Sequence, residues 1–395
     1  MRHHVYLSPG MFGFGRLASY DYFTHVERAL KARFEARGEG VAIHVAHVSP
    51  TASIRRRALK LTELVVETCS PDDPAAGPIH LVGHSTGGLD ARLVASPSVA
   101  LGGPAALTWR HRLASVTSMN TPHYGTPLAT FFTTTSGERA LGMLSALTVV
   151  ALSFGSPPLA IARAVVAAFG GVDKSLGFKI AALDRATQSL VHLLDDVRGG
   201  DLREYVDAIA DDQGAMVQLM PEAMDLFIAG VEDHPGVVYQ STASMAPPPR
   251  ATMVVPEIFH PWSVMSSAVF ATIYTITSRY DRRYPCAAPD AGEAAEAMLL
   301  RAFSRRPGAR ANDGVVPIRS QLWGKLVWAG YGDHLDVLGH FLDKTRTSAR
   351  EKAAASLANE APHVDWLYSA SGFGRPQFAA LMDAIVEGML ARPAG

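Results

Sequence analysis

Cysteine is scarce in this chain. Cys69 and Cys286 are the only two among its 395 residues. A disulfide framework or a thiolate metal site needs more cysteines at closer spacing, so neither is expected. The strand and helix patterns place the two thiols in different elements, and we therefore expect them to remain unpaired.

An excess of charge of one sign is also missing. The chain has 36 Lys and Arg against 37 Asp and Glu, which gives a formal net charge of -1. Proteins that bind nucleic acids normally carry a basic surplus, so we expect no nucleic-acid partner. With 48% hydrophobic and 18% charged residues, the composition is that of a folded globular protein rather than a disordered chain.

Apolar runs long enough to cross a membrane are lacking. The most apolar stretches, 141–152 and 159–169, are divided by the Gly-Ser-Pro-Pro of 155–158. Each is shorter than the about 20 residues of a membrane-spanning helix, so no transmembrane segment is expected. The first residues also show no secretory leader. We expect a cytoplasmic protein from the sequence as written, with secretion left open if a leader precedes it.

An alternation of strand and helix patterns is present instead. Strand patterns at 4–8, 41–48, 79–82 and 113–119 alternate with helical patterns at 20–37, 51–68 and 86–95. This order predicts a mostly parallel, buried sheet with helices on both faces. Further strand patterns lie at 237–241, 269–277 and 326–329, and a closing helical pattern lies at 375–391.

The segment 128–235 reads as mainly helical and breaks this alternation. We predict that it is inserted into one α/β core formed by 1–127 and 236–395. Two interpretations of its apolar helices stay open. They are buried core helices, or they form a lid that covers an active site and meets a lipid interface.

Ser85 lies in the run Gly83-His84-Ser85-Thr86-Gly87, between a predicted strand and a predicted helix. This strand, turn and helix are what a nucleophile elbow requires. Side chains at Gly83 and Gly87 would crowd such a turn, which accounts for the glycines. The helix N-terminus also directs its dipole towards a developing oxyanion. The pattern predicts Ser85 as a catalytic nucleophile.

A serine nucleophile needs a general base, and in this kind of fold the base comes last in the chain. His334 lies in a loop just after the strand pattern at 326–329. His340 is the alternative, but we expect it about a turn and a half into the following helix. His334 is therefore the predicted base.

The base needs an orienting carboxylate from a loop between the serine and the histidine. Asp313 stands in a turn sequence suited to that task, although a turn aspartate can also simply cap its own backbone. Asp281 is the alternative, but Arg282 and Arg283 follow it and suggest a solvated ion pair. Asp313 is the predicted acid.

An oxyanion hole needs two backbone N–H groups. Thr86, which follows the nucleophile, supplies one of them. The glycine-rich loop 8–15 follows the first strand pattern, and Met11 within it is the candidate for the other. A merely flexible glycine loop is the alternative.

Several of these segments together resemble the bacterial true lipases, the family I triacylglycerol lipases. They are 9–14, 83–92, 120–127, 311–315 and 334–336. The resemblance implies an α/β-hydrolase fold with a large helical lid. It also implies Ser85, Asp313 and His334 as the triad and Met11 and Thr86 as oxyanion donors, in agreement with the assignment from context.

The sequence departs from that family in two places. The family usually has histidine before the oxyanion-loop glycine, where this chain has Pro9, so the loop must be braced differently. The family also holds a structural calcium ion. The resemblance matches Asp336 and Asp290 to its carboxylate ligands, but His340 falls where a glutamine is expected, and calcium prefers oxygen. Alternatively, Asp336 caps the helix that follows.

The sequence thus predicts a serine lipase or carboxylesterase that needs no cofactor for its chemistry. Its expected substrates are medium- to long-chain acylglycerols, cleaved through an acyl-enzyme on Ser85. A short-chain esterase or acyltransferase of the same fold remains an alternative. So does a non-catalytic module that binds a membrane or a partner protein.

Overall fold

The computed structural model describes residues 2–11, 16–17, 20–69, 76–154, 165, 187–188, 209, 211–249, 261–343 and 363–391. The strands within these ranges are β1 (Arg2–Ser8), β2 (Arg16–Leu17), β3 (Tyr20–Asp21), β4 (Gly40–Val45), β5 (Ala76–His84), β6 (Leu113–Met119), β7 (Val238–Met245) and β8 (Lys325–Tyr331). Six of them form one parallel sheet in the order β4-β1-β5-β6-β7-β8, while β2 and β3 form a small antiparallel ribbon.

The helices lie mostly between these strands. They are α1 (Thr24–Ala36), α2 (Ile54–Thr68), α3 (Thr86–Ala95), α4 (Pro127–Phe132), α5 (Thr135–Phe154), α6 (Gly214–Gln218), α7 (Pro221–Gly230), α8 (Pro261–Thr277), α9 (Gly292–Phe303) and α10 (Arg375–Leu390). Short 3-10 turns span Pro104–Arg112, Ile318–Gln321 and Asp336–Leu338.

Helices cover both faces of the sheet. On one face, Leu61 of α2 and Leu89 of α3 pack in a core with side chains of β5 and β6. On the other, Leu30 of α1 and Ile385 of α10 pack against β1. Burial on both faces is what a parallel sheet requires, because its strands have no solvent side. The predicted mostly parallel sheet with helices on both faces is confirmed.

One predicted strand is wrong. The segment 269–277 lies in the helix α8, not in a strand. Its β-branched residues favour a strand locally, but its buried positions recur at helical spacing, for example at Val269, Ile273 and Ile276. The side chains of Val269 and Ile273, one turn apart, line the same cavity. Packing of this face outweighs the strand propensity of the residues.

The inserted segment is described in part. The predicted helix at 141–152 lies within α5, whereas the one predicted at 159–169 falls outside the described residues except for Val165. The domain boundaries at 127 and 235 stay a prediction. Among the described helices, none is both long and apolar enough to cross a membrane. Cys69 and Cys286 are both buried and free, as expected.

Candidate active site

Ser85 occupies the sharp turn between β5 and α3. Its backbone has φ 55° and ψ -128°, a conformation that costs free energy in a residue other than glycine. The Ser85 N–H donates to the carbonyl of Met119 at 2.8 Å, which fastens the turn to the end of β6. A Cβ on Gly83 would lie 2.1 Å from Gly87, and one on Gly87 would lie 2.0 Å from the Ser8 carbonyl oxygen. Both glycines are therefore required by the close approach of backbone segments.

The side chains of Asp313 and His334 meet at the carboxyl edge of the sheet. Nδ1 of His334 lies 2.7 Å from Oδ2 of Asp313. Because a carboxylate can only accept, Nδ1 carries the proton and Nε2 is left as the acceptor. The His334 N–H also donates to the Asp313 carbonyl at 2.9 Å, so backbone and side chain hold the pair together.

Asp313 also caps its own turn. Its Oδ1 accepts from the N–H groups of Val315 at 2.9 Å and Val316 at 2.7 Å. One oxygen of Asp313 thus serves the turn and the other faces the imidazole, so a cap on its own turn does not exclude Asp313 as the predicted acid.

Two further residues contact Asp313 that the sequence did not point to. Nδ2 of Asn120 donates to Oδ2 at 3.0 Å, and Nε2 of Gln321 donates to it at 3.2 Å. Asn120 follows β6 in a left-handed conformation with φ 49°. Its position in the lipase-like run 120–127 was the one available signal, and Gln321 had none.

A cavity of about 160 Å³ lies above Ser85. Ser85 and His334 both line it, and each is only 5% exposed. The remaining wall is mostly apolar and comes from α4, α5, α8 and the segment before α10; it includes Leu128, Phe132, Leu144, Val269, Ile273, Val315, Leu335 and Leu367. Within the segment 128–235, Leu128, Phe132 and Leu144 thus line this cavity.

The two alternative residues have different surroundings. Asp281 is exposed and paired with Arg283 at 2.7 Å, as the sequence suggested. His340 does line the cavity, but it follows a short 3-10 turn rather than lying inside a helix, which corrects our expectation. Burial lowers the pKa of His340 to about 3, so its imidazole is a weak base.

The loop after β1 brings Gly10 and Met11 against the elbow. A Cβ on Gly10 would lie 2.7 Å from the Cβ of Ser85, so this position admits no side chain without displacing the loop. Met11 lines the cavity beside Ser85. Its N–H and that of Thr86 remain the predicted oxyanion donors.

Pro9, the departure from the lipase pattern, is held by an arginine. The guanidinium of Arg57 donates to the Pro9 carbonyl and pairs with Asp90 of α3 at 2.8 Å. Both charged side chains are fully buried, and Ser8 also donates to Asp90 at 2.8 Å. The loop is thereby braced through its carbonyl group.

The two residues matched to a calcium site each accept a hydrogen bond from a nearby backbone N–H. Asp336 accepts from the Asp333 N–H at 2.8 Å, and burial together with the charge of Asp333 raises its pKa well above the ordinary range. Asp290 instead accepts from the Gly292 N–H at the start of α9. Among the described residues, no group of three or more His, Cys, Asp or Glu side chains is arranged to hold a metal ion. Calcium binding gains no support from this geometry and stays a prediction.

Comparison with curated proteins finds two triacylglycerol lipases. The chain is 34% identical over 128 residues to that of Vibrio cholerae, a match covering 32% of this chain and 35% of the relative. It is 30% identical over 128 residues to that of Pseudomonas fragi, covering 32% and 37%. The resemblance to bacterial lipases is confirmed. The lipase-like match thus spans about a third of the length of each relative, and no family model matches the chain.

Solved structures of similar proteins include lipases and esterases. EstA from Clostridium botulinum aligns with 96% of this chain and 87% of its own, at 18% identity and a TM-score of 0.49. The lipase of Staphylococcus hyicus aligns with 90% and 94%, at 16% identity and a TM-score of 0.44. The fold assignment rests on the sheet order and the turn at Ser85 rather than on these likenesses.

Proposed function

We propose that this protein hydrolyses carboxylic esters, with Ser85 as nucleophile, His334 as general base and Asp313 as the group that orients the base. The observation that carries the proposal is the 2.7 Å contact between Asp313 and His334 at a cavity that His334 shares with Ser85. A buried carboxylate on Nδ1 directs the basic Nε2 of the imidazole away from itself, as nucleophilic catalysis by serine requires.

In the first half-reaction, the Ser85 hydroxyl attacks the ester carbonyl carbon while Nε2 of His334 takes its proton. The carbonyl oxygen becomes an oxyanion, which the N–H groups of Met11 and Thr86 stabilise. The tetrahedral intermediate then expels the alcohol, which receives the proton from His334. Asp313 stabilises the imidazolium throughout and does not itself take the proton.

In the second half-reaction, His334 removes a proton from water as the water attacks the acyl-enzyme. The carboxylic acid is released and Ser85 regains its proton. Neither half-reaction routes a step through a metal or an organic cofactor.

We extend the proposal to substrates with an acyl chain of medium or long length, as in acylglycerols. The apolar lining of the cavity supports this choice. Leucine, isoleucine and phenylalanine side chains line it, and they favour a hydrocarbon chain over a polar acyl group. Contact of the inserted helices with a lipid interface belongs to the same proposal. A short-chain esterase or an acyltransferase would use the same three side chains.

Hydrolysis of a series of p-nitrophenyl esters from acetate to palmitate tests the proposal. We expect activity in the wild type and loss of it in Ser85→Ala, with Ser115→Ala as a control for loss of a buried serine hydroxyl outside the site. A fluorophosphonate should label the wild type and fail to label Ser85→Ala. Full activity in Ser85→Ala, or a wild type that the fluorophosphonate does not label, would contradict the proposal.

The same series separates the alternatives. A rate maximum at acetate would favour a short-chain esterase, and a maximum at medium or long chains would favour a lipase. Flotation with liposomes in the absence of any ester hydrolysis would favour a non-catalytic binding module.

A further inference from the structure

A chain of hydrogen bonds joins three segments of the proposed active site. The hydroxyl of Tyr22 lies 2.7 Å from Nδ1 of His84, and Nε2 of His84 lies 2.9 Å from the carbonyl oxygen of His334. At the other end, the Gly10 N–H approaches the Tyr22 hydroxyl at 3.4 Å. The three contacts join residues that are 12, 62 and 250 positions apart in the sequence.

Chemistry fixes the direction of these hydrogen bonds. The carbonyl of His334 can only accept, so Nε2 of His84 must carry the proton. A neutral imidazole then has a lone pair on Nδ1, which accepts from the Tyr22 hydroxyl. The oxygen of Tyr22 in turn accepts from the Gly10 N–H. All donors therefore point from Gly10 towards His334, an arrangement in which each bond polarises the next.

Burial keeps the side chains of Tyr22 and His84 uncharged. His84 is fully buried, and its burial and the nearby His334 lower its pKa well below the ordinary value. Burial likewise raises the pKa of the Tyr22 phenol. Because neither side chain ionises near neutral pH, the directions of the hydrogen bonds do not change with pH in that range.

Three residues of this series of hydrogen bonds adjoin or belong to groups that the proposed reaction uses. Gly10 precedes Met11, the candidate oxyanion donor, and His84 precedes Ser85. The carbonyl at the far end belongs to His334 itself, whose ring centroid lies 4.6 Å from that of His84. Tyr22 and His84 thus contact the oxyanion loop, the elbow and the base loop.

We propose that Tyr22 and His84 are positioning residues, which set the oxyanion loop and the loop of the base at fixed distances from Ser85. This role rests on the ester hydrolysis proposed above. It also completes the bracing of the loop at Pro9, since Arg57 holds the carbonyl side of the Pro9–Gly10 peptide and Tyr22 holds its N–H side.

The variant Tyr22→Phe tests this role by removing one oxygen atom. Its loss leaves Nδ1 of His84 and the Gly10 N–H without their partner, so the loop can shift relative to Ser85. We expect kcat to fall about 10- to 100-fold with KM within about twofold of the wild type, because small misplacements of reacting groups affect the chemical step most. Tyr6→Phe is the matched control, since Tyr6 also donates or accepts through its hydroxyl, 2.9 Å from Thr68, but lies outside the site.

The melting temperatures of both tyrosine variants separate positioning from stability. A kcat in Tyr22→Phe within twofold of that of Tyr6→Phe would overturn the proposal. If Tyr22→Phe unfolds at the assay temperature, a pair of histidine variants decides. His84→Gln keeps an amide that can donate to the His334 carbonyl, and His84→Leu does not. We expect the Gln variant to retain more kcat than the Leu variant, and equal values would overturn the proposal.

The failure of this role can be told from the failure of the proposed function. A wild type that neither hydrolyses p-nitrophenyl esters nor reacts with a fluorophosphonate would remove the reaction itself. An active wild type whose Tyr22→Phe variant reacts with the fluorophosphonate at an unchanged rate would remove only the positioning role.

Discussion

Asp313 divides its two carboxylate oxygens between His334 and its own turn. Oδ2 meets Nδ1 of His334 at 2.7 Å, and Oδ1 accepts from two backbone N–H groups. The same side chain that orients the imidazole is thus fixed by the loop that carries it. Rotation of the carboxylate would break contacts on both sides at once.

Replacing Asp313 with asparagine should uncouple these two tasks. The amide oxygen can still cap the turn, but the amide NH₂ facing His334 would favour the wrong imidazole tautomer. We expect kcat on p-nitrophenyl esters to fall on the order of 10³- to 10⁴-fold. The melting temperature should also fall, because the new NH₂ would face the donating amides of Asn120 and Gln321. Asp281→Asn, which alters an exposed ion pair, is the control and should keep wild-type kcat. A loss of less than tenfold in Asp313→Asn would speak against the assigned acid.

Gly10→Ala should displace the oxyanion loop. The added Cβ would lie 2.7 Å from the Cβ of Ser85, a distance that side chains cannot tolerate, so Met11 must move away from the elbow. We expect kcat to fall about 100-fold, the usual effect of losing one oxyanion donor. Gly230→Ala, where an added Cβ meets open space, is the matched control. Steady-state kinetics of both variants check this, and equal kcat values would refute the role of the loop.

Arg57→Met should destabilise the protein. The change leaves the carboxylate of Asp90 buried without its partner, and a broken buried ion pair costs about 3–5 kcal/mol in the free energy of unfolding. Arg56→Met removes the neighbouring exposed partner of Asp212 and should cost below about 1 kcal/mol. Urea unfolding of both variants measures the difference. Adding Asp90→Leu to Arg57→Met should recover part of the loss, and a further loss instead would contradict the account.

Acid should weaken the fold through histidines that are buried in the neutral form. Burial lowers the pKa of His80 to about 3, whereas the unfolded chain protonates near its ordinary value of 6.5. The unfolded state therefore binds more protons between these values, so this contribution to stability is present above pH 6.5 and is lost as the pH falls towards 3. The buried carboxyls have the opposite dependence, since burial raises the pKa of Asp333 to about 6.

Comparison of two histidine variants with the wild type isolates the contribution of His80 to the pH dependence of stability. We expect the melting temperature of His80→Asn to fall less steeply than that of the wild type between pH 7 and pH 4. His111→Asn, which changes an exposed histidine outside the core, should keep the wild-type slope. A slope in His80→Asn as steep as that of the wild type would show that His80 is not the group that titrates.

The parts of the site that could be predicted from the sequence are the local ones. A short run of consecutive residues predicts the turn at Ser85, because a strand, two glycines and a helix must follow one another there. The position of His334 after β8 was equally local. The brace formed by Tyr22, His84 and Arg57 was not predictable, because its contacts join residues far apart in the chain and each type is common elsewhere.

The error at 269–277 has a similar origin. Valine, isoleucine and threonine favour strands when only neighbours in sequence are considered, and such a short apolar run has no clear period. In the structure, Val269 and Ile273 lie one helical turn apart, and both side chains line the cavity. Tertiary packing decided the conformation of that segment.

The parallel pairing of β6 with β7 limits how far the inserted segment can be shortened. Ser115 pairs with Val238 and Met119 with Thr242, so the two strands run in the same direction. The chain that leaves β6 at the carboxyl edge must return to the opposite edge before β7 can begin. A tight hairpin cannot connect two parallel strands in this way, and a crossover of about a dozen residues or more is needed. A variant shortened to expose Ser85 would therefore have to keep enough residues between β6 and β7 to connect the two edges of the sheet.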